Sequence, residues 1–118
     1  MARYVDGFLC AIPTDNVEAY RKLARQAGEV WREYGALEYV ECVGDDVPEG
    51  KVTDFPRSVN ATSDEIVGFA WITYESREAR DAINKKVMAD PRMDLDAEDM
   101  PLDMSRMVFG GFRTIVEL

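Results

Sequence analysis

Histidine is absent from all 118 residues. That removes every Ser–His or Cys–His nucleophile pair, a His-ligated haem, and the two-histidine carboxylate iron site. Any proton transfer must use Asp, Glu, Tyr, Lys, Cys or the substrate itself. Cysteine is scarce as well: Cys10 and Cys42 are the only two, too few for a thiolate-rich zinc site. No apolar run approaches the ~18 residues that a membrane-crossing helix needs. Positive charge is also short, with 14 Lys and Arg against 23 Asp and Glu and a net charge of −9. Phosphate backbones and anionic membranes attract clustered Lys and Arg, so neither is expected as a partner. The first residues, MARYVDGFLCAIP, read as a strand and not as a signal peptide, which makes the cytoplasm the default location.

What remains is the make-up of one soluble domain over 1–118, with hydrophobic residues at 47% and charged residues at 31%. Residues 3–12 are rich in aromatic and branched side chains and form a first strand ending at Pro13. Asp15 and Glu18 have the spacing of a capping box. After them Val17, Tyr20, Leu23, Ala24, Ala27, Val30, Trp31 and Tyr34 recur at three- and four-residue intervals, one apolar stripe closed by Gly35. Residues 37–44 form a second strand and 65–75 a third. Ser76 caps a second helix whose Ala79, Ala82, Ile83 and Val87 face inward, and Asp90-Pro91 stops it. Residues 106–117 form the fourth strand.

The order β-α-β-β-α-β is the ferredoxin-like pattern of an α+β fold. Right-handed crossovers then give a four-stranded antiparallel sheet of order 4-1-3-2 with two helices on one face. Cys10 and Cys42 would be separated by the third strand, about 9.6 Å for two strand spacings and beyond the reach of a disulfide. Both faces of the first and third strands are apolar, and helices cover only one of them. A second copy is the simplest cover for the other, so a homodimer is expected.

Between strands two and three lies an over-long excursion, Glu41 to Arg57 (ECVGDDVPEGKVTDFPR), where a two-residue hairpin would suffice. This segment, YVDGF at 4–8, SREARDAINKKVMADPR at 76–92 and MPLDMSRMVFGGF at 100–112 resemble the YbaA-like domain-of-unknown-function family of bacteria. The resemblance implies a dimeric α+β barrel, a superfamily that includes small cofactor-independent monooxygenases. It implies no reaction for this chain and no catalytic residues.

Candidate site residues are few. Asp6 interrupts the apolar face of strand one and needs a partner; Arg106, Arg113 or Arg3 could pair with it, or it could act as a general base. Glu38 and Glu41 lie nearer an edge and read as solvated. Arg57 could clamp a ligand carboxylate or pair with Asp45, Asp46 or Asp54, and Lys51 is a nearby cation. Trp71 and Tyr74 could stack on an aromatic ligand, although aromatics at strand spacing are more often core or interface. Arg106 completes the set of ligand-binding candidates. Asp45-Asp46 and Asp94-x-Asp96-x-Glu98 lack the spacing of a calcium loop and read as solvated acids, so no metal and no cofactor are expected. Gly7, Gly68 and Gly110-Gly111 on three neighbouring strands mark a bulge and packing room, or a shallow depression.

Three functions fit: a homodimeric small-molecule-binding protein, a cofactor-independent monooxygenase or isomerase acting on a small aromatic or quinol-like substrate, and an interaction or regulatory module using the 45–60 loop.

Overall fold

The computed structural model describes residues 2–118. Its main elements are β1 (Tyr4–Pro13), α1 (Val17–Glu33), β2 (Glu38–Val43), α2 (Phe55–Ser58), β3 (Glu65–Tyr74), α3 (Arg77–Ala89) and β4 (Val108–Arg113). All strand pairs are antiparallel and the sheet is open, ordered β2-β3-β1-β4. This is the expected 4-1-3-2 read from the opposite edge. No helix is long and apolar enough to cross a membrane among the described residues.

Alternation along the strands sorts the residues into two faces. Tyr4, Asp6, Phe8, Cys10 and Ile12 of β1 sit level with Tyr74, Ile72, Ala70, Gly68 and Ile66 of β3. On this face Ile72 and Tyr74 pack with Val30 of α1 and with Ile83 and Val87 of α3, all buried. At the other end of the sheet Cys10, Ile12 and Leu102 form a second cluster. The α1 stripe is buried or half-buried throughout, as its spacing predicts. Gly35 ends the helix region at φ +115, a conformation open to glycine at little cost.

Several local expectations are corrected. A 3₁₀ turn (Thr14–Asn16) precedes α1, and Asn16 caps it with no side-chain bond. The Asp15–Glu18 box therefore does not form; the Asn16 amide instead donates to the Pro101 carbonyl at 2.9 Å. Ser76 does cap α3, accepting from the Ala79 N–H. Ala82 is exposed, however, while Arg80 and Asn84 turn inward. Strand four is shorter than 106–117 at both ends. Its start is taken by a 3₁₀ turn (Met104–Arg106) on the Asp103 cap, and past Arg113 the ladder gives way to Thr114, whose N–H and hydroxyl both donate to the Arg3 carbonyl. The β1–β4 ladder runs one-to-one through Gly110 and Gly111, so no bulge forms there.

The excursion covers part of its own sheet. Asp54 caps α2 through the Arg57 N–H at 2.9 Å. The chain then lays Val59, 1% exposed, over Ala11 and Val67 on the face opposite α1 and α3. Phe55 meets Phe69 edge-on, ring centroids 6.0 Å apart. A third, short helix thus lies on the side that the sequence left bare.

Arg106 fastens the end of the excursion. It forms a two-pronged pair with Glu65 (2.8 and 2.6 Å), reaches Asp103 at 3.0 Å, and donates to the Asn60 carbonyl at 2.8 Å. Arg106 and the Thr62 N–H hold the Glu65 carboxyl at about 2, below its ordinary 4.5. A depressed carboxyl stabilises the fold fully above its unfolded value and loses that contribution as pH falls through the folded one. The melting-temperature gap between the wild type and Glu65→Gln is therefore expected to narrow as pH drops from about 5 to about 2. A gap of constant width would remove this pairing from the account of acid stability.

Candidate functional site

The chain builds an open cleft of about 660 Å³ between α1 and β2. Gly28 lets its two walls approach closely where the helix crosses the strand. A Cβ there would lie 2.5 Å from the Tyr39 ring, so glycine lets that ring lie directly against the helix. Trp31 supports the ring from the same helix, centroids 5.9 Å apart.

At the floor stands Glu41. Tyr20 from α1 donates its phenol to Glu41 Oε1 at 2.6 Å, and Tyr39 donates to Oε2 at 2.7 Å. Such short bonds to an ionised acceptor are the strong kind. Burial, then the Glu41 charge and the hydrogen bond to it, push both phenols far above their ordinary range. They remain protonated donors at any physiological pH. Behind them the buried Cys10 thiol points at the Tyr20 oxygen, 3.9 Å away, and burial raises its pKa too.

Glu41 was read from the sequence as solvated because it lies near an edge. The structure corrects this: β2 is an edge strand, but α1 overhangs it. A signal was available. Tyr39 and Glu41 share the strand face that looks at the α1 stripe, and Tyr20 is part of that stripe.

Asp6 has an arginine near it, as an ion pair requires, but not one of those expected. It is 6% exposed and lies in the packed layer between the sheet and α3, lining neither cleft described here. Its partners are not Arg106, Arg113 or Arg3. Tyr74 donates to Oδ2 at 3.0 Å, and the Arg80 guanidinium approaches Oδ1 at 3.9 Å. Arg80 also donates to the Tyr4 phenol at 3.1 Å and stacks over that ring, 5.0 Å from its centroid. Gly111 makes room for this, since a Cβ there would collide with both Tyr4 and Arg80. Asn84 accepts from Trp31 at 2.9 Å and from Tyr74 at 3.3 Å, joining α1, β3 and α3. Desolvation and the Asp6 charge raise the Tyr74 phenol well above its ordinary value. Such a network reads as a structural polar core.

The other sequence candidates do not converge. Tyr74, fully buried, faces the helices, while Trp71 faces the opposite side of the sheet. Arg57 pairs with Asp54 at 3.6 Å and Glu49 at 3.5 Å, pinning the loop. Lys51 is exposed and lines neither cleft. Arg106 is committed to Glu65, Asp103 and Asn60.

A second open groove of about 650 Å³ lies on the sheet face opposite α1 and α3, beside α2. Gly7 and Gly110 pair across its floor, with Leu9, Trp71 and Phe112 around them. Phe69, Val108 and Phe112 are 43%, 48% and 62% exposed there. The patch continues the apolar surface that Val59 and Phe55 cover at one end.

Comparison with known proteins places these features in a family. Residues 3–104 match the family model described as a protein of unknown function, DUF1428. The chain is 51% identical over 115 residues to "Uncharacterized protein YbaA" of Escherichia coli (strain K12), covering 98% of each chain. It shows the same identity and coverage with the protein of that name in Shigella flexneri. The chain belongs to the DUF1428 family.

Proposed function

We propose that this DUF1428 family member is a homodimeric small-molecule-binding protein whose ligand site is the α1–β2 cleft. One observation carries the reading: a carboxylate gripped by two tyrosines at the floor of an open cleft of ligand size. Pockets of a few hundred Å³ with few, well-placed polar groups are the usual form of such sites. Ordinary core packing does not require a charged group held at the base of an open cleft.

The dimer follows from the opposite face. Exposed Phe69, Val108 and Phe112 with half-buried Trp71 form a contiguous apolar surface on the sheet, of a kind that marks an interface. A second copy packed there face to face would give the dimeric α+β barrel, with each ferredoxin-like chain contributing four strands. The two roles then occupy opposite sides of the sheet and do not compete.

An interaction module is the second reading, favoured by Val52, 92% exposed at the outer turn of the excursion. The cofactor-independent enzyme reading loses its base at Asp6, which is enclosed, and would have to use Glu41.

A melting screen against a metabolite panel tests the binding role, because a ligand held only by the native state raises the melting temperature. We expect at least one compound that stabilises the wild type and has no effect on Glu41→Gln. Hits that act equally on both proteins would move the site away from the cleft.

A further inference from the structure

We propose that the α1–β2 cleft takes a small organic cation, its ammonium or guanidinium head seated on Glu41 beside the Tyr20 and Tyr39 rings. The inference rests on the cleft being a ligand site and adds the chemical class of that ligand.

The polar inventory of the floor decides it. Both phenolic hydrogens are already directed at Glu41, so the tyrosine oxygens offer the cleft only lone pairs. The Cys10 thiol is turned toward Tyr20. What remains for an incoming molecule is the spare acceptor capacity of Glu41 and its negative charge. A ligand must donate hydrogen bonds to be satisfied there.

Charge pairing narrows the class further. Arg21, Arg25 and Arg32 line the cleft against Glu29, Glu33 and Glu41, so the formal charges cancel. Every one of these groups but Glu41 already has an opposite charge or a backbone carbonyl to answer it. Arg21 meets Glu18, Arg25 meets Glu29, and Glu33 meets Arg92 at 2.8 Å. Arg32 donates to the Ala36 and Leu37 carbonyls. Among the described residues Glu41 is the one carboxylate of the lining without a cationic partner. Withdrawn partly from water and given only neutral donors, it is short of one positive charge. An anion would meet that charge and a row of lone pairs. A neutral alcohol would satisfy the lone pairs and leave the charge as it is. A cation does both, and the two electron-rich rings add attraction to it. The net charge of −9 favours the approach of a cation as well.

Three probes of one shape separate these cases: benzylammonium, benzyl alcohol and benzoate, titrated into the full chain by amide-resolved NMR. We expect benzylammonium to move the Tyr20 and Tyr39–Glu41 signals saturably, with an affinity about tenfold or more above benzyl alcohol. Benzoate should leave those signals in place. Glu41→Gln should bring the ammonium down to the level of the alcohol. Binding of benzoate or benzyl alcohol as tightly as benzylammonium would overturn the cation assignment. So would silence from all three, while a metabolite hit abolished by Glu41→Gln in the melting screen would leave the cleft itself standing as the site.

Discussion

Asp6→Ala should lower the unfolding free energy by about 3 kcal/mol, a large part of the roughly 5–15 kcal/mol that holds a domain of this size together. The residue is 6% exposed and serves two groups at once, the Tyr74 phenol and the Arg80 guanidinium. Removing it leaves a fully buried hydroxyl with only the longer 3.3 Å contact to Asn84. It also takes from a largely buried guanidinium one of its two neighbouring carboxylates, the buried one. Arg80 is already poorly served: its Nε lies 3.2 Å from Asp81 but makes no aligned hydrogen bond. The loss therefore comes mainly from what is left unpaired. The attraction removed is the smaller part, because 3.9 Å is a long ion pair. Asp6→Asn keeps an acceptor for Tyr74 and should cost about half as much. Urea unfolding followed by the fluorescence of Trp31 and Trp71 reads both values. A loss below about 1 kcal/mol for Asp6→Ala would show that solvent reaches the network and that the packed layer is not closed.

Phe112→Asp should convert a dimer into a monomer without unfolding the chain. In the wild type we expect sedimentation at micromolar concentration to give twice the 13.4 kDa chain mass. Phe112 is 62% exposed in the isolated chain, so its replacement disturbs little of the monomer's own core. In a two-fold pair the same substitution acts twice. Each copy loses roughly 2–3 kcal/mol of apolar burial and places a carboxylate against an apolar surface. Even the lower figure for both copies weakens association by roughly a thousandfold. A wild-type monomer, or a variant that stays dimeric, would remove the face opposite α1 and α3 as the interface.

Much of this architecture was legible in the chain because it rests on patterning. The two-residue period of β1 and β3 and the α1 stripe are burial signals, and the element order with right-handed crossovers dictated the sheet order. Ser76 and Gly35 were legible because a cap and a left-handed helix end each demand a particular residue. The failures were of another kind. Asp15 looked like a cap, but whether a capping box forms depends on the backbone angle at which the chain enters the helix, and a 3₁₀ turn intervenes. Ala82 looked inward by its apolarity. The helix is instead rotated so that Arg80 and Asn84 reach the polar core, because Asp6 and Tyr74 require partners there. Strand four started late because Asp103 caps a 3₁₀ turn over its first expected residue. Glu41 was the costly miss: edge strands are solvated only when no helix overhangs them, and that follows from the packing of α1. The excursion was read as the place of a site or a partner contact, yet the chain at its end lays Val59 on its own sheet.

The ligand is expected in the cleft between α1 and β2, and not in the groove on the face opposite α1 and α3. Amide-resolved NMR with the strongest compound from the melting screen tests it most directly. The account predicts saturable shifts centred on Tyr20, Gly28 and Tyr39 to Glu41, with Val5, Trp71 and Phe112 unmoved. Shifts centred on Val5, Trp71 and Phe112, with the Glu41 floor silent, would contradict it.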